Sequence, residues 1–256
     1  MRVFALSDIH VDYEANRQWV EGLSRMDYRE DLLILAGDIS HSTRLVHWCL
    51  TIFTDRFARV LYVPGNHDLW VFHEDSGTSL EKFQEVCRII EGCGASMHPF
   101  HHGRLSIIPL LGWYDFSFGK PTSELLEAWA DFRACRWPES FSPREVTDYF
   151  LKRNEGVLQM SNEILISFSH FLPRLDVMPS FIPMQRRMLY PVLGSTRLEE
   201  QIRRLRPSIH VYGHSHVNRR ITLDNVVYIN NAFGYPQETS ITAKELVCIY
   251  EETVGK

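Results

Sequence analysis

The sequence has 256 residues, of which 45% are hydrophobic and 23% are charged, as in an ordinary soluble globular protein. This balance excludes a disordered, collagen-like or fibrous chain. The formal net charge of −5 gives no general attraction to nucleic acid or to anionic lipid, so long nucleic acids are not expected as partners. No apolar run approaches the ~18 residues of a membrane-spanning helix, and we expect no membrane partner.

The cysteines and the first residues predict a cytoplasmic location. The five cysteines form no Cys-x-x-Cys pair and have no regular spacing, so neither disulfides nor thiolate metal sites are expected. The chain turns polar at Ser7 and Asp8, which is too early for the apolar segment of a secretion signal. Both features are typical of a protein in a reducing compartment.

The first hundred residues predict alternating strands and helices. Continuous apolar runs at residues 3–6, 32–36 and 60–63 are typical of strands in a sheet that is covered on both faces. Between the second and third runs, apolar residues recur at spacings of three and four, which predicts a helix. The pattern Thr78-x-x-Glu81 predicts the start of another helix. These elements indicate an α/β fold.

Later segments continue this pattern, with one irregular stretch. We predict strands over residues 104–111, 164–168 and 209–212, helices over residues 145–160 and 196–207, and an antiparallel arrangement of the tail. Residues 113–141 are rich in aromatic side chains and have no clear period, so we interpret them as an insertion. We expect a single domain over residues 1–256.

Residue types that bind metal ions follow several of the predicted strands. The set comprises Asp8, His10, Asp38, Asn66, His170, His214 and His216. Each short motif alone is more often a turn or a helix cap, but carboxyl ends of strands meet at one edge of an open α/β sheet. Carboxylate, imidazole and amide donors suit Mn, Fe or Zn. Seven ligands exceed the four of one zinc ion, which predicts two divalent or trivalent ions with Asp38 as the bridge.

These motifs, taken in order, resemble the calcineurin-like metallophosphoesterase superfamily. The matching motifs are Asp8-x-His10, Gly37-Asp38, Gly65-Asn66-His67-Asp68, His170 and Gly213-His214-Ser215-His216. The resemblance implies a four-layer α/β/β/α sandwich of two mixed sheets with a dinuclear metal centre. It implies that the first ion is held by Asp8, His10, Asp38 and His216, and the second by Asp38, Asn66, His170 and His214.

The same resemblance implies an enzyme. It would be a metal-dependent hydrolase in which a metal-bridging hydroxide attacks a phosphomonoester or a phosphodiester. His67 is not needed as a ligand, and the resemblance implies that it stabilises charge on the phosphate or protonates the leaving group. Asp68 is expected to take part in catalysis by orienting an imidazole, or else to cap the next helix; both roles stay open.

The second motif bears on the class of substrate. Protein phosphatases of the superfamily extend it to Gly-Asp-x-x-Asp-Arg-Gly, whereas Asp38 here is followed by Ile39-Ser40-His41-Ser42. A protein phosphatase is therefore disfavoured, and we expect a small-molecule phosphoester. Residues that could touch it are His41, Trp113 and Arg219. For each there is a plainer interpretation: a loop histidine, a core aromatic and a solvent-facing arginine.

Two other functions remain open at this point. A cyclic-nucleotide phosphodiesterase or a nuclease would use the same ligands, although the acidic balance counts against long nucleic acids. A catalytically silent scaffold on the same fold is the alternative that is not an enzyme, but the presence of all seven ligands and His67 disfavours it. The sequence does not predict the oligomeric state.

Overall fold

The computed structural model describes residues 1–71 and 77–252 of the chain. Within these residues, ten strands form two sheets. They are β1 (Arg2–Leu6), β2 (Leu32–Ala36), β3 (Arg59–Val63), β4 (Phe100–His102), β5 (Leu105–Pro109), β6 (Ile164–Phe168), β7 (Ile209–Tyr212), β8 (Arg219–Leu223), β9 (Val226–Asn230) and β10 (Val247–Glu251). All three apolar runs predicted near the start of the chain are strands.

Seven α-helices and four short 3₁₀ segments connect these strands in the described part of the chain. The helices are α1 (Glu14–Gly22), α2 (Thr43–Arg56), α3 (Ser79–Gly92), α4 (Ser123–Ala128), α5 (Asp131–Ala134), α6 (Pro143–Asn154) and α7 (Thr196–Leu205). The 3₁₀ segments are His67–Leu69, Glu155–Val157, Leu175–Val177 and Met184–Val192. None of these helices is both long and apolar enough to cross a membrane.

The two sheets are mixed, as the resemblance implied. The first has the order β10-β1-β2-β3 and the second β4-β5-β6-β7-β9-β8. Strands β1, β2 and β3 are parallel, as are β5, β6, β7 and β9. The antiparallel strands β10, β4 and β8 lie at the edges. The carboxyl ends of the parallel strands in each sheet therefore share one edge, where a site can form.

Side chains that alternate along the strands build the four layers. On β1, Phe4 and Leu6 pack with the apolar faces of α1, α2 and α3. Val3 and Ala5 point the other way and pack against the second sheet, including Ile107 of β5. The far face of the second sheet is covered by α6 and α7. Helix, sheet, sheet and helix thus stack in the order α/β/β/α, which confirms the predicted fold class.

A few predicted elements differ in detail. The capping box at Thr78 and Glu81 is present at the start of α3. At α7 the N-cap is Ser195, whose hydroxyl accepts from the Arg197 amide; the helix begins at Thr196 as predicted but ends at Leu205, two residues before the predicted end. The short edge strand β4 was missed. In the tail, β8 and β9 form an antiparallel hairpin as predicted, while β9 pairs in parallel with β7.

Candidate metal centre and active site

The polar residues after the strands occupy an unusual backbone conformation. Asp8, His10, Asp38, His214 and His216 all have positive φ, between 41° and 67°. Left-handed backbone is uncommon for residues other than glycine and costs about 1 to 3 kcal/mol where the surroundings impose it. Five of the seven predicted ligands share it, so the fold holds them in strained turns at the sheet edge. Strain that is concentrated in this way is typical of a functional site.

The first group of ligands joins the loops after β1 and β7. His10 Nε2 lies 3.1 Å from His216 Nε2, and His216 Nε2 lies 3.2 Å from Asp8 Oδ1. The other ring nitrogen of His216, Nδ1, donates to Glu238 Oε2 at 2.7 Å. This hydrogen bond turns Nε2 toward the group. Although burial disfavours a charged ring, the charges and hydrogen bonds of Asp8 and Glu238 outweigh it and raise the pKa of His216 to about 9, so a bound cation would take the place of a proton on Nε2.

The second group joins the loops after β3, β6 and β7, and the main chain fixes its tautomers. His170 Nδ1 donates to Ala36 O at 2.9 Å and His214 Nε2 donates to Val192 O at 3.0 Å. The remaining atoms, His170 Nε2 and His214 Nδ1, therefore carry lone pairs and face one another at 3.1 Å. Asn66 Oδ1 lies 3.1 Å from His170 Nε2, which brings a third lone pair to the same point.

This arrangement of donor atoms fits a bound cation. His170 Nε2 lies 3.1 Å from both of the other lone-pair atoms. Such atoms repel unless a positive charge lies between them, and the hydrogen bonds to carbonyl oxygens leave no proton for that place. Asp38 Oδ2 lies 3.5 Å from His170 Nε2. Asp38 also forms a compact group with His10 and His67 and another with His170 and His214. It thus stands between the two ligand groups, where a bridging carboxylate would lie.

Close packing around these ligands explains the glycines in the motifs. A Cβ at Gly65 would overlap the Asp38 carboxylate and the His170 ring. A Cβ at Gly37 would overlap the same ring, and Gly37 has φ of 86°, a conformation that glycine adopts at little cost. Only glycine therefore fits at both positions beside the ligand side chains.

Burial sets the protonation of these groups in the protein without ions. It lowers the pKa of His10 to about 3, with a further contribution from the charge of His216. Burial also lowers the pKa of His170 and of His214 to about 4. For Asp38, burial and the negative charges of Asp68 and Asp8 raise the pKa well above its usual value. Neutral imidazoles are the form that binds metal, and a cation would favour the ionised form of Asp38.

His67 lies beside the ligands on their solvent side. Its backbone N–H donates to Asp38 Oδ1 at 2.9 Å, and its Nε2 lies 3.9 Å from Asp38 Oδ2. The ring stacks on Trp70 with 3.6 Å between centroids. With 15% of its side chain exposed, it can reach a group that approaches from solvent.

Asp68 has a different environment from the one expected. Its two oxygens accept from the backbone amides of Asp38, Ile39, Ser40 and Gly65 at 2.7 to 3.1 Å. The hydrogen bonds of the described residues include none between Asp68 and an imidazole. Neither does Asp68 cap α3, whose N-cap is Thr78. Asp68 instead ties the loop after β2 to the loop after β3, and thereby positions Asp38.

Sequence reasoning missed two carboxylates that contact the ligands. Asp131 in α5 accepts from Asn66 Nδ2 at 2.9 Å, and also from Trp70 and Trp129. Glu238 accepts from His216, as described above. Asp131 lies in the aromatic-rich stretch of residues 113–141, which has no clear period, and Glu238 has no local signal either. A ring of Tyr235 also packs over His10 and His216, with centroids 4.6 and 4.9 Å away.

Comparison with known proteins identifies the family. The family model of the calcineurin-like phosphoesterases matches residues 1–218. The chain belongs to this family. It is therefore a metal-dependent phosphoester hydrolase, as the sequence motifs predicted, and the family implies a dinuclear metal centre. The His and Asp groups described above provide ligands for such a centre.

A protein of Mycobacterium tuberculosis, PptH, is similar to this chain in both sequence and structure. The chain is 28% identical over 262 residues to [Acyl-carrier-protein] phosphodiesterase PptH, with 92% of this chain and 78% of that protein covered. A crystal structure of Phosphopantetheinyl Hydrolase (PptH) aligns with a TM-score of 0.73 at 24% identity, covering 93% of this chain and 90% of that chain. This structural likeness supports the calcineurin-like fold over nearly the whole chain.

The three residues predicted to touch substrate in this phosphoesterase have other surroundings. The structure contradicts the prediction for Trp113, which is only 1% exposed and packs among Trp137, Phe150 and Phe171 in the core. The plainer interpretation as a core aromatic was correct, because α6 covers the strand end from which Trp113 extends.

Arg219 and His41 also have protein partners. The Arg219 guanidinium donates to the carbonyl oxygens of Asp176 and Val177 at 3.3 and 2.8 Å. It thus holds the 3₁₀ segment after β6, a different role from the predicted phosphate contact. His41 is partly exposed, with Nδ1 3.1 Å from Asp12 Oδ1, and it belongs to none of the ligand groups found in the described residues.

Proposed function

We propose that this phosphoesterase is a phosphodiesterase that hydrolyses the bond between a phosphopantetheinyl group and an acyl carrier protein. The observation that carries the proposal is the 28% identity to an acyl-carrier-protein phosphodiesterase over 92% of this chain. The predicted small-molecule phosphoester then corresponds to the phosphopantetheinyl arm, and the second half of the substrate is a protein.

The residues that would hold two ions are those of the two groups. Asp8, His10 and His216 would hold the first, Asn66, His170 and His214 the second, and Asp38 both. When bound, a pair of divalent cations supplies Lewis acidity, which lowers the pKa of a water molecule and offsets charge on the phosphoryl oxygens. The nitrogen and oxygen donors suit Mn, Fe or Zn, and we propose that both ions come from this set.

His67 is the side chain proposed to act on the substrate itself. Stacking on Trp70 and the amide bond to Asp38 hold its ring at the solvent side of the ligands. From there a ring N–H can donate to a phosphoryl oxygen or to the oxygen of the leaving group. Asp68 is a positioning residue in this scheme, because its carboxylate fixes the loop that carries Asp38.

The charges around the site favour a diester over a monoester. A phosphomonoester carries close to two negative charges at neutral pH, whereas a diester carries one. Three nearby cations are engaged by the protein: Arg17 donates to the loop after β1, Lys82 to carbonyls of His41 and Trp70, and Lys244 to carbonyls of residues 233–235. Because loop carbonyls hold these cations, the metal ions would be the groups that contact the phosphoryl oxygens directly.

The compartment is part of the same proposal. All five cysteines are free thiols, which supports a reducing, cytoplasmic location.

Turnover of a phosphopantetheinylated carrier protein tests this function. Metal-stripped enzyme would be reloaded with Mn²⁺ and incubated with that protein, and the product followed by intact mass spectrometry. We expect the carrier protein to lose the complete phosphopantetheine group, and bis(4-nitrophenyl) phosphate to be cleaved faster than 4-nitrophenyl phosphate. An intact carrier protein would overturn the proposed substrate. Preference for the monoester would favour a phosphatase, and cleavage of cyclic nucleotides alone would favour that alternative.

A further inference from the structure

A phosphodiester on a carrier protein brings a second protein surface to the active site. This argument rests on the proposed function. The scissile phosphate is bonded directly to an oxygen of the carrier protein, so when the phosphate reaches the ligands the surrounding surfaces of both proteins must meet. The enzyme surface near the ligands should then present side chains suited to a protein partner.

One exposed segment has the composition of a docking surface. In residues 181–188, Phe181 is 74% exposed, Met184 is 79% exposed and Met188 is 42% exposed. Single exposed apolar residues are ordinary, but several within eight residues form a patch that water disfavours. Methionine adapts its shape to a partner and is enriched, with arginine, at protein interfaces.

The charge of this segment is opposite to that of the whole chain. Between Asp176 and Glu199 the sequence has no acidic residue, whereas the exposed segment contains Arg186 and Arg187. The chain as a whole carries a formal charge of −5. A local excess of positive charge beside exposed methionines complements a partner surface that is acidic and partly apolar.

The exposed segment is also joined directly to the metal centre. Met184 begins the 3₁₀ segment that ends at Val192, and the carbonyl of Val192 accepts from the ring of His214. At ~2.0 Å per residue, Met184 lies about 16 Å along this segment from Val192. A carrier protein whose phosphate sits at the ligands is wide enough to cover that distance.

We propose that residues 181–188 dock an acidic, partly apolar surface of the carrier protein next to its phosphopantetheinylated residue. Met184 and Phe181 supply apolar contact, and Arg186 supplies the charge that orients the partner. Arg187 has a second role, because its guanidinium donates to the carbonyls of Ser180 and Ile182 at 3.1 Å. It holds the exposed segment in shape and is therefore left unchanged in the test.

The test compares two substrates of the same enzyme. The double variant Met184→Ser with Arg186→Glu would be assayed on the phosphopantetheinylated carrier protein and on bis(4-nitrophenyl) phosphate. We expect kcat/KM for the carrier protein to fall about tenfold or more, mainly through KM, because an apolar contact and a steering charge are lost. Turnover of the small diester should stay unchanged, since no changed residue contacts a ligand.

A matched control exists at the opposite edge of the first sheet. Met26 is 69% exposed and Arg29 is exposed, and both lie in the loop that leads into the amino end of β2. The double variant Met26→Ser with Arg29→Glu makes the same chemical change away from the site. It should cleave both substrates like the unmodified enzyme.

The remaining outcomes distinguish an error in the docking surface from an error in the proposed substrate. If the variant at Met184 and Arg186 cleaves the carrier protein with unchanged kcat/KM, the docking surface is wrong. If the unmodified enzyme cleaves the small diester but leaves the carrier protein intact, the proposed substrate is wrong and the docking surface with it. The unmodified enzyme and both double variants would also be tested for binding to phosphatidylglycerol vesicles. If only the variant at Met184 and Arg186 fails to bind them while its carrier-protein kinetics are unchanged, the surface binds a membrane instead.

Discussion

The carboxylate of Asp131 accepts hydrogen bonds both from Asn66, a predicted metal ligand, and from Trp70, on which the His67 ring stacks. Its Oδ1 accepts from Asn66 Nδ2 at 2.9 Å and from Trp70 Nε1 at 2.6 Å, and its Oδ2 accepts from Trp129 Nε1 at 2.8 Å. The side chain is buried. The bond to Asn66 fixes the amide so that its oxygen faces His170. Replacement of Asp131 by asparagine should therefore disturb the second ion site selectively.

The hydrogen bonds of Asp131 give the expected loss of stability and of metal affinity. In Asp131→Asn one oxygen becomes an amide nitrogen that faces the Trp129 N–H, so one hydrogen bond to a charged acceptor, about 1.5 to 3 kcal/mol, is lost. The other two bonds weaken because a neutral acceptor replaces a charged one, and removal of a buried charge offsets part of this loss. We expect the free energy of unfolding to fall by about 2 to 4 kcal/mol. Metal affinity at the second site should fall about 10- to 100-fold.

Calorimetric titration of Mn²⁺ into metal-stripped protein measures the two sites separately, and urea unfolding gives the stability. The matched control is Glu238→Gln, which makes the same carboxylate-to-amide change behind His216 in the first group. It should weaken the first site and spare the second. If Asp131→Asn binds two ions with unchanged affinity, or if both variants weaken the same site, the inferred positioning of Asn66 by Asp131 is wrong.

Three further predictions concern individual side chains. Asp38→Ala should lose both ions, measured by metal analysis after gel filtration; retained turnover would contradict the bridging role. His67→Ala should keep two ions but lose about 10²- to 10⁴-fold in kcat, with the larger losses for poor leaving groups; an equal loss for every leaving group would exclude proton donation by His67. Burial lowers the pKa of His210 to about 3, so the unfolded chain takes up a proton as pH falls below about 6.5 while the folded protein does not. Between pH 7 and pH 5 the protein should lose about 2 kcal/mol more stability than His210→Gln in urea unfolding, and parallel pH profiles would refute this.

The structure brings the predicted ligand residues together because their placement follows from topology. Asp8, Asp38 and Asn66 come directly after continuous apolar strands, and neighbouring parallel strands bring their carboxyl ends to one edge whatever the details of packing. The same runs predicted β1, β2 and β3 almost to the residue. The prediction of these strands needed only the assumption that the sheet is buried on both faces, which makes its strands continuously apolar.

The contacts behind the ligands were beyond sequence reasoning. Asp131 is 65 residues from Asn66 along the chain, and Glu238 is 22 residues from His216. Asp131 begins the four-residue helix α5 and Glu238 lies in a loop, and the course of both segments is set by tertiary packing, with no periodic pattern to reveal it. Trp113 was ambiguous for a related reason: an aromatic residue after a strand can face a substrate or a helix, and only the position of α6 decides between them.

The two ligand groups differ in the charge that surrounds them. His170 and His214 donate to neutral carbonyls of Ala36 and Val192, whereas His216 donates to the carboxylate of Glu238. A carboxylate partner makes an imidazole a stronger ligand. The first group also has Asp8 as its own anionic ligand, where the second has the neutral amide of Asn66. Because the charge of Asp131 acts on the second site only through that amide, we expect the first site to retain its ion while the second exchanges.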